Sequence, residues 1–177
     1  MNDDSADSVL LNAPSFAAHF ASLVANRLSR FRSSRSSGEV YRINLEEGRF
    51  SEPISSSPTS TSLSGTTCIA ASPMHRILSV GSEDGKLHFY DTRISSSSTM
   101  SPFATLDVSG STSGYGFSTS PNPTVTSVAY EDSGVTLAAG TGEGCVALYD
   151  VRSSKPVHVK EHNHGLPIHT CAFHHAR

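Results

Sequence analysis

The sequence predicts an all-β chain assembled from repeated antiparallel units. Three observations lead to this prediction. From about residue 38 onwards, short runs of alternating or β-branched residues follow one another, separated by turn residues. The stretch from Thr67 to Arg93 recurs without a gap 59 residues later, as Thr126 to Arg152. The glycines of both copies lie between apolar runs, so neighbouring runs are expected to pair as hairpins.

The two copies share the residues that shape a turn and close a strand. Many of the other aligned positions are alike in kind. Eight positions are identical, and in the first copy they are Thr67, Ala70, Leu78, Gly81, Gly85, Tyr90, Asp91 and Arg93.

Each copy reads as three strands, and a fourth follows it. In the second copy, residues 125–130, 135–140 and 145–150 form the first three strands, and 156–160 forms the fourth. The glycines at 140, 142 and 144 also raise the alternative of a phosphate-binding loop. Such a loop leads from a strand into a helix, whereas β-branched and alternating residues follow Gly144. We therefore interpret the glycines as a hairpin turn.

Two partial copies extend the repeat and set its length. Residues 38–50 match the last part of a unit, and residues 167–174 match the first part of another, 43 residues after its counterpart. A four-stranded unit of about 43 residues is typical of a blade of a WD40-like β-propeller. The chain is thus predicted to hold about two full and two partial four-stranded blades. The 59-residue spacing reflects about 16 extra residues in a serine-rich insert.

Two serine-rich stretches are predicted to be long flexible loops. Residues 55–65 and 95–124 contain few apolar side chains, so burial cannot offset the entropy cost of ordering them.

The N-terminal segment differs from the repeats and is treated as a separate region, 1–36, with the propeller part spanning 37–177. Apolar residues between Ser15 and Phe31 fall at helical spacing, and Ser15 could cap the helix. This predicts an N-terminal helix that packs one apolar face. An Arg-rich targeting peptide would look similar, but the acidic residues at 3, 4 and 7 argue against it.

The composition argues against nucleic-acid attraction by overall charge, against a membrane span and against a disulfide framework. With 36% hydrophobic and 16% charged residues and a net charge of −3, the chain has no overall basic field to attract nucleic acid. No run approaches the ~20 apolar residues that a membrane span needs. The three cysteines share no CxxC spacing, and we interpret them as reduced, buried thiols.

The segments "FYDTR" and "LYDVR" resemble the Trp-Asp dipeptide of WD repeats, with tyrosine in place of tryptophan. More specifically, "SGEVYRINLEEGRF" (37–50) and "LYDVRSSKPVHVKEHNHGLPIHT" (148–170) resemble the nucleolar protein 10 family. The resemblance covers about Ser37 to His174. It implies a WD-repeat scaffold without catalytic residues, located in the nucleolus within the small-subunit processome that matures pre-18S rRNA. Protein partners and contact with pre-rRNA are then expected.

The departures from the family also produce expectations. Residues 1–36 resemble no part of the family, and the chain stops as a new blade starts. We therefore expect a fragment of a longer propeller, or a gene model with a wrong 5′ end.

The predicted site residues are structural blade positions and a small basic set. His162 occupies about the place of the histidine that precedes a WD blade and can hydrogen-bond inside it. Arg152, Lys155 and Lys160 are candidates for contact with a protein partner or with RNA. The blade-motif positions are Gly85, Tyr90, Asp91, Arg93, Gly144, Tyr149, Asp150, Arg152 and His162.

The Asp-x-Arg triplets at 91–93 and 150–152 leave an alternative open. A Trp-Asp-x-Arg motif marks some substrate receptors of cullin-4 ubiquitin ligases. With tyrosine in place of tryptophan, an arginine paired to its own aspartate at a blade rim is favoured.

Catalytic, metal and cofactor sites are not predicted. The six histidines between 158 and 175 invite a zinc interpretation, but the repeat places His169 and Cys171 on an ordinary first strand. No G-x-S-x-G motif occurs, and no paired carboxylates fall at matched strand ends. The chain is expected to be no enzyme, with no small-molecule substrate.

Overall fold

The computed structural model describes residues 39–44, 47–50, 65–93, 101–113 and 123–174, and the backbone of two further strands at 20–22 and 29–33. The described part is almost entirely β, in three four-stranded antiparallel sheets. We call these sheets blades 1, 2 and 3 in chain order.

Blade 1 contains β1 (Phe20–Ser22), β2 (Ser29–Ser33), β3 (Val40–Asn44) and β4 (Arg49–Phe50), paired in that order. The predicted last part of a unit at 38–50 is confirmed as the third and fourth strands. The unit is complete, however, since β2 pairs with β3 along its whole length, from Ser29 opposite Asn44 to Ser33 opposite Val40.

The prediction of a helix over Ser15–Phe31 is wrong where the structure describes this region. Phe20–Ser22 and Ser29–Ser33 are strands, and residues 15–19 and 23–28 lie outside the described residues. The spacing of apolar residues is compatible with a helix. Pairing of β2 with both β1 and β3 nevertheless supplies a ladder of backbone hydrogen bonds on each side, and such tertiary context overrides local propensity.

Blade 2 contains β5 (Thr66–Ala71), β6 (Ile77–Ser82), β7 (Lys86–Asp91) and β8 (Ala104–Asp107). A short helix, α1 (Val108–Thr112), follows β8, and the Asp107 side chain caps it by accepting from the Gly110 N–H. The prediction of a flexible loop over 95–124 is therefore wrong at 104–112. Residues 95–100 and 114–122 of that loop, and 55–64 of the other, lie outside the described residues.

Blade 3 contains β9 (Val125–Tyr130), β10 (Thr136–Thr141), β11 (Cys145–Asp150) and β12 (Pro156–Glu161). These are the four predicted strands, with bounds that differ by one residue at most. Gly144 adopts a φ of 87° in the turn between β10 and β11. Strand β11 follows this turn directly, so the hairpin interpretation is confirmed against the phosphate-loop alternative.

The first strands of successive blades lie side by side, β1 beside β5 and β5 beside β9. Apolar side chains between the sheets form two buried clusters. One cluster joins residues of blades 1 and 2, including Val40, Ile69 and Leu78. The other joins residues of blades 2 and 3, including Leu87 and Leu137. Burial between blades, at roughly 25 cal/mol per Å² of apolar surface, therefore holds the described sheets together.

The segment after blade 3 lies where the first strand of a fourth blade would begin. The Ile168 N–H donates to the Thr141 carbonyl at 3.0 Å, and the Cys171 N–H donates to Ser127 Oγ at 2.8 Å. Residues 165–174 are not assigned to a strand. The predicted partial copy at 167–174 thus takes the expected position without forming a ladder of its own.

Within the described residues, no helix has the length and apolar character needed to cross a membrane.

Candidate partner-binding site

The two Asp-x-Arg triplets form nearly identical clamps at one end of blades 2 and 3. In blade 2, Asp91 accepts from the Arg93 backbone N–H at 2.9 Å, from Nε at 3.0 Å and from Nη2 at 2.6 Å. In blade 3, Asp150 accepts from the same three groups of Arg152 at 2.9, 3.0 and 2.8 Å. Each aspartate therefore holds the turn after its strand and fixes a bidentate guanidinium.

The clamps are exposed to solvent, and their aspartates have lowered pKa values. The arginine side chains are 72% and 78% exposed. Hydrogen bonds from Arg152 hold the pKa of Asp150 down at about 2, and those from Arg93 lower the pKa of Asp91 in the same way. Both pairs are thus fully ionised at neutral pH. We call the end of the sheets that carries them the clamp end.

Tyr90 and Tyr149, in the place of the WD tryptophan, occupy equivalent buried positions. Tyr90 lies opposite Leu78 in the β6–β7 ladder, and Tyr149 lies opposite Leu137 in the β10–β11 ladder. Their residues are 3% and 1% exposed. Tyr90 packs in the cluster between blades 1 and 2, and Tyr149 packs in the cluster between blades 2 and 3. The tyrosine therefore packs between neighbouring blades in both copies.

The Tyr149 hydroxyl is buried. Burial raises the pKa of Tyr149, and the nearby Ser111 hydroxyl offsets part of that rise. Even so, the Tyr149 hydroxyl has no partner in hydrogen-bond geometry among the described residues.

Gly85 and Gly144 allow the next blade to approach. Their φ angles are 79° and 87°, in the left-handed region that favours glycine. A Cβ on Gly85 would lie 2.7 Å from the Pro123 carbonyl oxygen, and one on Gly144 would lie 2.8 Å from the Leu166 carbonyl oxygen. The glycine is therefore needed for the turn and for contact with the chain that enters the following blade.

His162 differs from its predicted role. Its side chain is exposed, and its Nδ1 accepts from the His164 N–H at 3.3 Å within the same turn. The imidazole does not enter the blade, because the turn after β12 keeps it on the surface. Only the backbone of His162 contributes to the sheet, through its N–H, which donates to the Gly144 carbonyl at 2.6 Å.

The three basic candidates are exposed but do not form one cluster. Arg152 is bound to Asp150, Lys155 precedes β12, and Lys160 lies near the far end of that strand. The lysines are thus separated by the length of β12, about 16 Å for five residues.

An apolar groove of about 220 Å³ opens between blades 2 and 3 at the clamp end. Its blade 2 wall includes Phe89 and Phe103, whose ring centroids are 6.3 Å apart, and its blade 3 wall includes Tyr130 and Tyr149. Arg152 lies at its margin. Phe103 is 60% exposed, so the groove presents an aromatic side chain to solvent.

Sequence reasoning missed the hydroxyls that join blades. Thr67 Oγ1 donates to the Val125 carbonyl, and the equivalent Thr126 Oγ1 donates to the Ile168 carbonyl at 2.5 Å. Ser79 Oγ and the Tyr130 hydroxyl share a further hydrogen bond between blades 2 and 3. The identity of Thr67 and Thr126 in the repeat was the available signal, because a polar residue repeated on a strand between blades indicates a repeated hydrogen bond.

The described residues include no group of three or more histidine, cysteine or acidic side chains placed to hold a metal. All three cysteines are free; Cys68 and Cys145 are buried and Cys171 is partly buried. Burial raises the pKa of Cys68 to about 11 and also raises those of Cys145 and Cys171. Their thiolate fractions at neutral pH are therefore small.

The stacked antiparallel sheets, the repeated clamps and the side-by-side first strands define a β-propeller of the WD40 type. The chain belongs to the nucleolar protein 10-like family, because the model of that family's N-terminal domain matches residues 20–177. The match includes β1 and β2, which lie in the segment that the sequence pattern set apart.

Several characterised proteins are similar to this chain. A fission yeast protein, ribosome biogenesis protein enp2 homolog, is 33% identical over 73% of the chain and 20% of its own length. Nucleolar protein 10 of Xenopus laevis is 34% identical over 79% of the chain and 19% of its own length. The human nucleolar protein 10 is 31% identical over 77% of the chain and 18% of its own length. The chain thus spans about a fifth of the length of these relatives.

A solved structure supports the fold alone. A chain from the crystal structure of the mitotic checkpoint complex superposes with a TM-score of 0.64 at 20% identity, covering 88% of this chain and 40% of that chain.

Proposed function

We propose that this protein is a non-catalytic WD-repeat scaffold of ribosome biogenesis that acts in the nucleolus. The observation that carries the proposal is the family match over residues 20–177, together with relatives named as ribosome biogenesis and nucleolar proteins. More specifically, we propose that the protein acts in the small-subunit processome, where pre-18S rRNA is matured.

The geometry supports a binding role. The polar groups that the two copies share hold turns and join blades. The clamps fix the guanidinium groups, and each threonine ties the first strand of its blade to the chain segment of the next blade. None of these groups is arranged as a nucleophile with its base. Surfaces that remain available for partners are the clamp end, the groove between blades 2 and 3, and the outer strand edges. Protein partners are favoured over bare RNA, because the exposed basic residues are few and spread out.

Affinity purification of the tagged full-length protein from growing cells tests the proposal. Recovery of pre-ribosomal proteins with pre-18S rRNA is the expected result. Recovery of cullin-4 and its adaptor without pre-ribosomal material would instead establish the ligase-receptor role.

A matched variant sharpens this test. The exposed guanidinium groups of Arg93 and Arg152 are the groups that a ligase adaptor would contact through the Asp-x-Arg triplets. The double substitution Arg93→Ala and Arg152→Ala should leave pre-ribosomal association intact under the scaffold proposal and abolish cullin association under the alternative. Loss of mature 18S rRNA after depletion, restored by this double variant, would complete the support.

A further inference from the structure

The outer edge of blade 3 differs from the outer edges of blades 1 and 2. Strand β12 is the last strand of its sheet, and among the described strands it pairs only with β11. It is six residues long, whereas β4 has two residues and β8 has four. A long open edge exposes backbone groups that can pair with another chain.

The register shows which backbone groups of β12 face outward. The His162 N–H donates to the Gly144 carbonyl, and Glu161 lies opposite Cys145 in the ladder. Because directly hydrogen-bonded pairs alternate along an antiparallel ladder, Lys160 and His158 also bond towards β11. The N–H and C=O groups of Val159 and Glu161 therefore point away from the sheet.

Two of the devices that block a sheet edge, a proline and a register shift, lie at one end of β12. Pro156 is its first residue, and the register shifts only between Leu148 and Tyr149, opposite that end. From His158 to Glu161 the pairing is regular. Val157 is the residue skipped at this register shift, next to the regular stretch, and it is 73% exposed. It gives the edge an apolar side chain that an added strand could cover.

The charge along this edge is positive. Lys155 and Lys160 are exposed, and the ion pairs seen in the described part of the chain bind Lys86, Arg93 and Arg152 instead. Glu161 is the single acidic residue of β12, so Lys155, Lys160 and Glu161 together give this edge a net charge of +1. Opposite charges on neighbouring strands stabilise their pairing, and like charges oppose it.

We propose that the outer edge of β12 binds an extended acidic segment of a protein partner, which adds as a further antiparallel strand. Backbone hydrogen bonds to Val159 and Glu161 supply the docking, and Lys155 and Lys160 select carboxylates on the incoming strand. An apolar residue of that segment covers Val157. This inference rests on the proposed scaffold function in that it takes the partner to be a protein.

Binding is measured with the full-length protein and a fluorescein-labelled nine-residue peptide of alternating glutamate and valine. The comparison probes are a peptide with lysine in place of each glutamate, a peptide with proline in place of alternate valines, and a nine-nucleotide uridine RNA. Fluorescence anisotropy should detect the first peptide and none of the other three. Absence of binding by the acidic peptide up to about 1 mM would overturn the proposal, as would equal binding of the lysine peptide. Preferred binding of the RNA would assign the lysines to nucleic acid.

Matched variants separate the backbone and charge contributions. Both Glu161→Pro and Glu161→Gln remove the charge, but only proline removes the outward N–H. Glu161→Pro should lose binding, while Glu161→Gln should retain it or bind more tightly. Lys160→Glu should weaken binding roughly threefold to tenfold, and Lys160→Gln should have a smaller effect. Equal affinity of the proline and glutamine variants would exclude strand addition.

Hydrogen exchange on the unmodified protein provides a second measurement that needs no variant to fold. Addition of the acidic peptide should slow exchange at the Val159 and Glu161 amides and leave His158 and Lys160, already bonded to β11, unchanged. Protection elsewhere with none at these two amides would overturn the proposal. The cellular purification of pre-ribosomal particles can succeed while these measurements fail, so the two inferences are tested separately.

Discussion

Blades 2 and 3 are two copies of one unit, and their first three strands make nearly the same hydrogen bonds at equivalent positions. The Thr92 N–H donates to the Arg76 carbonyl at 2.9 Å, and the equivalent Val151 N–H donates to the Val135 carbonyl at 2.9 Å. The turns before the third strands each close with an N–H to carbonyl distance of 3.3 Å, from Gly85 and Gly144. The two copies, with eight identities in the aligned stretch, therefore form the same three strands and both turns.

The fourth strands of the two blades, and the segments on either side of them, differ. Twelve residues (92–103) join β7 to β8, whereas five residues (151–155) join β11 to β12. After β8 the chain forms α1, which buries Val108, whereas after β12 it turns at Gly165, which has a φ of 59°. The comparison shows that the sequence varies less in the first three strands, because these strands pack between neighbouring blades. The outer strand tolerates insertions because its far side is open to solvent.

The largest expected effect comes from the leucines that face the tyrosines. Leu78 and Leu137 are both fully buried at equivalent positions. Substitution of either by alanine should lower the free energy of unfolding by about 2 to 5 kcal/mol, because it leaves a cavity between blades. Urea unfolding of each variant measures this. A loss at one position and none at the other would break the equivalence of the two blades.

The next effect tests the two turn glycines. Gly85→Ala and Gly144→Ala should each cost about 2 to 4 kcal/mol, because both combine left-handed strain with close contact to the entering chain. Gly48 is the matched control: its φ is 63°, but nothing lies within 4 Å of an added Cβ. Gly48→Ala should therefore cost only about 1 to 2 kcal/mol. Thermal unfolding of the three variants measures the difference, and equal losses would show that blade contact adds nothing.

A smaller effect concerns the Tyr149 hydroxyl. Tyr149→Phe removes a buried hydroxyl that has no hydrogen-bond partner among the described residues, so stability should stay the same or rise by about 1 kcal/mol. Tyr130→Phe is the matched control, because it removes a hydroxyl that hydrogen-bonds to Ser79 Oγ, and it should cost about 1 kcal/mol. Both variants keep the aromatic ring. Destabilisation by Tyr149→Phe equal to that by Tyr130→Phe would contradict the absence of a partner for the Tyr149 hydroxyl.

The smallest effect concerns the clamps. Arg152→Ala should raise the pKa of Asp150 from about 2 towards the ordinary value near 4. Because the folded-state pKa is depressed, the contribution of this pair is present above about pH 4 and is lost as the pH falls towards 2. Carboxyl NMR titration measures the shift, with Arg93→Ala as the matched change in blade 2. An Asp150 pKa that stays near 2 in the variant would show that the Arg152 guanidinium is not its cause.

The repeats were predictable because their signals are local. Buried and half-buried residues alternate along strands such as β11, and Gly144 forms the turn that precedes it. These local features are enough to specify a hairpin, and the length of the repeat specifies the blade. Strand β8 was missed because a four-residue outer strand buries a single apolar side chain, Leu106, opposite Leu87. Such a strand has no pattern of its own and forms because β7 provides a template.

The site was predictable to a similar degree. The Asp-x-Arg clamps follow from two residues spaced to bond within one turn, and the structure places both pairs as expected. The groove and the open edge of β12 could not be predicted, because each depends on elements far apart in the sequence. The same holds for Ser79 and Tyr130, which lie 51 residues apart and meet only when blades 2 and 3 pack.

By itself, the amino-acid sequence determined the repeating unit, its strand order and the turn chemistry, because these depend on side-chain alternation and on backbone conformations within a few residues. The tertiary structure decided that Phe20–Ser22 and Ser29–Ser33 are strands, that His162 stays on the surface, and that β12 keeps an open edge. Those outcomes depend on which surfaces meet between distant segments. Strand pairing and burial between blades outweigh the small free-energy preferences of isolated residues.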